Sequence, residues 1–262
     1  MIFLNFLDGL ACSLTYCTVR LMRKFFRGIV AVCSLFNPKT WGPFLHAWDR
    51  TRFDHDFSVS FSQGGEDLAL IQLIDKTNGK YLDIGAHHPD RFSNTRLLYS
   101  KGWSGVNVEA NPSLISEFIN KRPRDITLWA CVGSEKEFKF TIFNEPAIST
   151  SNQDWKEKFI SQSQGVEREI VVKGITLFRL ISEYFHHGDL DLLLVDTEGS
   201  DFDVISSGDF GKLPRNLLPE WIVIETPRPL ATALAENTIT YLVKHGYAPY
   251  LVLSMSTILK KK

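Results

Sequence analysis

From residue 60 onward the chain repeats one pattern, a short apolar run that stops at Gly or an acid, followed by a segment with helical spacing. The runs cover 80–84, 105–109, 126–132, 190–196 and 221–225; the helical segments cover 68–75, 94–101, 113–121, 177–185, 202–207 and 238–245. Leu190-Asp-Leu-Leu-Leu-Val-Asp196 lacks polar alternation, as expected for a strand covered on both faces. Strands alternating with helices at this interval build βαβ units. The expected fold is therefore α/β, a doubly wound, mainly parallel sheet with helices on both faces. Some segments stand apart. Residues 137–143 alternate like a half-exposed strand, 169–174 form another short strand, 146–168 are polar with weak periodicity, and a last strand runs through 250–253.

The repeat begins only after a different kind of segment. Residues 1–52 carry seven Lys and Arg against two Asp, on a chain whose net charge is -1. Arg20, Arg23, Lys24 and Arg27 share one helical stripe, with Leu21, Met22, Phe25, Phe26, Ile29 and Val30 on much of the remaining surface. Three arrangements stay open: a helix docked on the domain, one lying at a membrane surface with its cations toward anionic head groups, or, least favoured, a membrane span. Asp8 and the basic cluster argue against a membrane span or a cleavable signal. Asn37-Pro38 and Gly42-Pro43 mark a linker. The expected division is an apolar, basic segment with its linker over 1–54 and one domain over 55–262.

A hydrophobic content of 44% excludes a disordered chain, and the near-neutral balance excludes an overall basic field for nucleic acid. The four cysteines form no CxxC pair and have no His at zinc-ligand spacing, which suits reduced thiols in a reducing, cytoplasmic setting. No resident metal is expected.

In doubly wound sheets, ligands bind beyond the carboxyl ends of the strands. Four runs end in or beside acids: Asp83-Ile-Gly85, Val-Glu109, Val-Asp196-Thr-Glu198 and Ile-Glu225. Asp83-x-Gly85 followed by Glu109 suits an adenosine cofactor, since the glycine admits backbone close to the ligand and the later acid accepts from ribose hydroxyls. The loop reads Gly-Ala-His-His-Pro, so the three-glycine dinucleotide fingerprint is absent. A cofactor with ribose but no phosphate fits better, and S-adenosylmethionine is such a molecule.

These residues occur within a longer set of motifs: Ser62-Gln63-x-Gly65-Glu66-Asp67, Tyr81-x-Asp83-Ile-Gly-Ala-His-His-Pro89, Ser93-Asn94-Thr95, Gly102-Trp103-x-Gly105-Val-Asn-Val-Glu109-x-Asn111-Pro112, Arg122-Pro-Arg-Asp125, Asp196-x-Glu198-Gly199 and Ile224-Glu225. The set resembles the FkbM-type family of S-adenosylmethionine-dependent methyltransferases over about residues 60–226. The resemblance implies a class I methyltransferase (Rossmann-like) sheet, a seven-stranded variant with one antiparallel edge strand. It also implies O-methylation, often of sugar hydroxyls in polysaccharide or secondary-metabolite pathways. Carried onto this chain, it puts Asp83, Gly85 and Ala86 on the cofactor loop, Glu109 on the ribose, Asp125 near the adenine, and Asp196 and Glu198 beside the transferred methyl. Leu194 departs from the pattern, standing where many members carry Lys.

Methyl transfer to a hydroxyl needs alignment and a proton acceptor. Asp196 is the first candidate base or orienting acceptor, with Glu225 and His88 as alternatives. Glu66, Asn94 and Glu198 are candidate substrate contacts, although Asn94 serves equally to tie down its loop. Of His87 and His88, at most one is expected to face the ligand, because neighbours on an extended segment point apart. Two rivals remain: a metal-dependent sugar-nucleotide glycosyltransferase using Asp196-x-Glu198, and a non-catalytic adaptor of glycan biosynthesis that keeps the fold. The expected partners are a small-molecule or glycan acceptor and, through residues 1–36, a membrane surface. Oligomeric state is not legible.

Overall fold

The structure is a computed structural model that describes residues 59–226, 234 and 236–262. The expectations for residues 1–54, including the basic stripe and its membrane contact, lie outside the described residues. Apart from Val59, the described residues belong to one compact unit, Ser60–Lys262. None of its helices is long and apolar enough to cross a membrane.

Seven strands form the main sheet: β1 (Lys80–Ile84), β2 (Ser104–Glu109), β3 (Ile126–Trp129), β7 (Leu192–Val195), β8 (Trp221–Glu225), β9 (Tyr247–Val252) and β10 (Ser256–Lys261). Their order is β3-β2-β1-β7-β8-β10-β9. The chain steps outward from β1 to β3, then returns to β1's other side with β7, so the switch in strand order lies between β1 and β7. The sheet is the one expected, with one correction. The reversed strand is β10, which pairs antiparallel with both β8 and β9 and so lies inside the edge rather than at it. Its end, Leu-Lys-Lys, reads as a charged tail, and no alternation there is long enough to reveal a strand.

Six helices pack on this sheet: α1 (Glu66–Leu73), α2 (Arg96–Ser100), α3 (Pro112–Lys121), α5 (Leu177–Tyr184), α6 (Asp201–Ser206) and α7 (Asn237–Lys244). Local chemistry starts several of them. Asn111 caps α3 by accepting from Ser113 N at 3.0 Å, with Pro112 at the first helical position, where its missing N–H costs nothing. Thr176 caps α5 in the same way through Arg179 N.

Both faces of the sheet are buried, and successive residues of one strand serve opposite faces. Leu82, Leu193 and Ile222 pack with Leu180, Ile181 and Leu242 of α5 and α7. Tyr81, Leu192, Leu194 and Val223 pack with Leu70 of α1 and Leu98 of α2 on the other side. All four residues of β7 are buried, which explains its unbroken apolar run.

The run expected over 126–132 is two strands. After Ala130 the chain leaves the main sheet, and β4 (Cys131–Val132) joins β6 (Val166–Ile175) and β5 (Glu137–Phe143) in a second sheet ordered β4-β6-β5. Between β5 and β6 the polar stretch 146–168 contains a further helix, α4 (Gln153–Ser161), capped by Asn152 through Trp155 N at 3.1 Å.

Register brings the strand ends together. Ile84 is the partner of both Val108 and Val195, and Val195 pairs with Ile224. Gly85, Glu109, Asp196 and Glu225 therefore follow at one level along one rim.

Candidate active site

Two adjoining clefts open at that rim, about 760 Å³ and 560 Å³ with their solvent-open space. The first is walled by Glu66, Asp83, Asn94 and Glu225; the second by Glu109, Ala110, Cys131 and Phe140. Gly85, His87, Ala147, Asp196 and Glu198 line both and form the passage between them. Ala86 lies on the first. Of the eleven residues singled out from sequence, nine therefore border the clefts.

Gly85 has a φ of 76°, and a Cβ there would overlap the carbonyl oxygen of Asp196. Only glycine lets β1 and the end of β7 approach so closely. Among the described residues, five other than glycine have positive φ, and three of them, His87 (52°), Phe92 (55°) and Glu198 (51°), line the first cleft. Backbone held in this costly region by its surroundings is a usual mark of a functional site.

The acids fall into two sets. Asp83 accepts from Thr95 Oγ1 at 2.7 Å, and burial raises its pKa to about 6. Glu109 accepts from His87 N at 2.8 Å and Asn111 N at 2.6 Å, and burial raises it to about 7 against those bonds. Both side chains are largely buried, yet each forms part of a cleft wall. The second set is Asp196, Glu198 and Glu225, whose carboxylate oxygens lie within 4.8 Å of one another. Burial and mutual repulsion raise all three, Glu198 to about 8. The Asp196 and Glu225 carboxylates lie close enough that a single proton held between them eases this repulsion. Either a proton or a divalent cation would relieve the repulsion.

Two expected site residues lie elsewhere. Asp125 precedes β3, at the amino end of the sheet, where it accepts from Tyr81 Oη at 2.6 Å, Gly105 N at 2.9 Å and Asn107 Nδ2 at 3.0 Å. It ties the starts of β1 and β2 together, far along the strands from the rim. His88 points out of the clefts: its Nδ1 accepts from Asp90 N and Arg91 N, and its Nε2 lies 3.0 Å from Glu117. His87 faces the ligand side instead. Burial lowers its pKa to about 4, so the ring is neutral, and its buried Nε2 has no partner among the described residues. The sequence points to His88 as the alternative base; the structure puts His87, with its positive φ, at the clefts in its place. Cys131 and Phe140 were not singled out, because they read as ordinary strand residues. Burial pushes the Cys131 thiol up to about 12, leaving it unreactive.

The segment between β5 and α4 closes over the acidic motif. Thr150 Oγ1 donates to Glu198 O at 2.9 Å, Asn152 Nδ2 to Gly199 O at 2.8 Å, and the Ser151 and Ser200 hydroxyls are 3.2 Å apart. Trp155 packs directly on Gly199.

The family described as methyltransferase FkbM domain matches residues 83–249. The chain belongs to the FkbM methyltransferase family. It is a methyltransferase, and its methyl donor is S-adenosylmethionine. No curated protein matches the chain. Among solved structures, it is similar to a TehB-like SAM-dependent methyltransferase from Corynebacterium glutamicum, with 12% identity, 86% of this chain and 100% of that chain covered, and a TM-score of 0.38. A precorrin-6y C5,15-methyltransferase from Geobacter metallireducens gives 13% identity, 79% and 92% coverage, and a TM-score of 0.36. Likenesses this distant carry no argument about substrate.

The residues present fit the donor. Five carboxylates, Glu66, Asp83, Asp196, Glu198 and Glu225, line the first cleft and suit a ligand carrying a sulfonium and an ammonium. Gly85 keeps the floor between the two clefts open, and the orphaned His87 Nε2 offers an acceptor in the passage.

Proposed function

We propose that the chain methylates a sugar hydroxyl of a glycan, glycolipid or secondary metabolite, as part of glycan biosynthesis. The observation that carries this is the carboxylate pair of Asp196, at the passage between the clefts, and Glu225, on the wall of the first. A sugar hydroxyl is a poor nucleophile, and a base with a raised pKa beside it matches the task. S-adenosylmethionine, when bound, supplies an electrophilic methyl group on a sulfonium.

In this reading Asp83 and the loop Gly85–Ala86 hold the amino-acid end of the donor, and Glu109 accepts from the ribose hydroxyls. Ala130, Cys131 and Phe140 offer the adenine an apolar wall in place of Asp125. Asp196, in its ionised form, accepts the hydroxyl proton as the methyl moves, and Glu225 shares the proton with it. Glu66, Asn94 and Glu198 contact the acceptor, whose hydroxyl enters from the first cleft. His87 replaces His88 as the histidine at the site, accepting a hydrogen bond through its neutral ring.

The arrangement of Asp196, Glu198 and Glu225 favours one variant of this reading, in which a divalent cation binds there and orients the acceptor hydroxyl. The glycosyltransferase and adaptor alternatives do not survive the family assignment. The basic stripe at 20–27 supports an acceptor presented at a membrane surface on the cytoplasmic side, tested by co-sedimentation with anionic vesicles with and without residues 1–52.

The test of the proposal is incubation with methyl-labelled S-adenosylmethionine and a panel of sugar, glycolipid, amine and thiol acceptors, with and without Mg²⁺ or a chelator. Label in an acid-stable O-methyl sugar is expected. Label confined to nitrogen or sulfur acceptors refutes the proposal, and loss of activity with the chelator selects the cation variant.

A further inference from the structure

Arg122 is the most deeply buried cation among the described residues, 1% exposed at the end of α3, and the reaction as described does not use it. Its guanidinium packs on the rings of Phe118 and Tyr99, 5.3 Å and 5.7 Å from their centroids. Nη2 donates to Ser93 Oγ at 2.6 Å and to Pro89 O, and Nη1 donates to Thr95 Oγ1 at 2.7 Å. Its one carboxylate neighbour within ion-pair range is Asp125, at 3.9 Å. A packing role alone would be better served by an apolar side chain, since a buried charge carries a desolvation cost of several kcal/mol or more.

The Thr95 hydroxyl fixes what the charge does. Thr95 is fully buried and has one proton to give. Because its oxygen accepts from Arg122, that proton goes to Asp83 Oδ2, 2.7 Å away. A hydroxyl that donates stabilises the ionised carboxylate and disfavours the protonated one. The chain of donors therefore runs one way, from cation to hydroxyl to the acid on the wall of the first cleft.

We infer that Arg122 and Thr95 are positioning residues for the methyl donor: the buried guanidinium, acting through the Thr95 hydroxyl, holds Asp83 ionised and oriented for a cationic ligand. The inference rests on the placement of the donor proposed above. Among the other titratable groups around Asp83, Asp125 before β3 opposes its ionisation, Glu109 on β2 and Asp196 after β7 repel it when they are themselves ionised, and the Tyr81 hydroxyl on β1, held neutral by burial, adds no charge. Arg122 and Thr95 are the two groups that favour it, and with both in place burial still leaves Asp83 raised to about 6.

The sign follows directly. Binding of a cation requires the carboxylate, so affinity falls as pH drops through the pKa of Asp83. Removing the hydroxyl raises that pKa, and the loss then begins at higher pH.

The experiment is calorimetric titration of the full chain with S-adenosylhomocysteine and S-adenosylmethionine across the weakly acidic to neutral range, for the natural sequence, Thr95→Val, Thr95→Ser and Arg122→Lys. Thr95→Val is expected to weaken donor affinity roughly tenfold or more, the usual effect of a lost hydrogen bond to a charge, and to move the pH midpoint upward. Thr95→Ser, which keeps the hydroxyl, recovers most of the affinity. Arg122→Lys falls between, because a compact ammonium cannot serve all three oxygens. In turnover, the KM for the donor rises while kcat holds. Should Thr95→Val lower the melting temperature but leave affinity and pH midpoint unchanged, the role is structural and the inference is overturned. Failure of the natural sequence to bind either ligand overturns the inference and the donor placement beneath it. Binding by the natural sequence with indifferent variants overturns the inference alone.

Discussion

The two groups of acids at the rim differ in how their charge is met. Asp83 and Glu109 each receive donors from the protein: a threonine hydroxyl backed by an arginine for one, two backbone N–H groups for the other. Asp196, Glu198 and Glu225 have chiefly one another. Burial raises all five, but the supported pair stops at about 6 and 7, while Glu198 reaches about 8. Where donors are supplied, the acid remains an acceptor for a ligand near neutral pH. Where they are withheld, it becomes a group that takes and releases protons. In the proposed function, one rim then holds a binding wall and a proton-transfer wall, separated by the passage at Gly85 and His87.

The comparison breaks most sharply at Asp196. Asp196→Asn is expected to lower kcat by about 10²–10⁴, the usual contribution of a positioned base, while calorimetry shows donor affinity retained. A large loss of donor affinity instead would move Asp196 to the binding wall. Next in size, Glu109→Gln places an amide against two backbone N–H groups and should weaken donor binding by roughly tenfold to a hundredfold, with kcat at saturating donor little altered. The two walls should also separate in pH. The acidic limb of donor binding is expected near Asp83 at about 6, and the acidic limb of kcat higher, since a base must be ionised to act and burial with repulsion raises Asp196 and Glu225. Coincident limbs would mean that one group governs both steps. Asp125→Asn should leave donor affinity unchanged and reduce stability by about 1–3 kcal/mol, as a buried acceptor of three donors is weakened at the far end of the sheet. The smallest effect belongs to His88→Ala, whose surface pair with Glu117 is worth about 0–1 kcal/mol and whose loss should not reach kcat.

How much of this was legible follows from what each signal encodes. The unbroken run 190–196 announced a strand covered on both faces, and the acids at 83, 109, 196 and 225 announced the rim, because strand direction is fixed along the chain. Asp125 was misplaced for the same reason: it stands before a strand, so it belongs to the opposite end, a distinction that motif matching passed over. His87 and His88 could not be separated, since a single residue of positive φ turns one ring toward the cleft and sends the other to Glu117. Strand β10 escaped because it ends in two lysines and its apolar core is only Ile258 and Leu259, too short to show alternation. The Arg122–Thr95–Asp83 chain joins three motifs spread over 39 residues. Spacing can show that such motifs exist, but only packing shows that they touch.

The fastening of residues 150–152 to the backbone of Glu198 and Gly199 constrains how such an enzyme can change its clientele. This segment, whose Ser151 lines the second cleft, is bolted to the backbone just after Asp196, so exchanging it with a relative's, without the matching stretch 196–200, disturbs the acidic motif together with the cleft wall. New specificity should arise most readily from paired replacements of both segments.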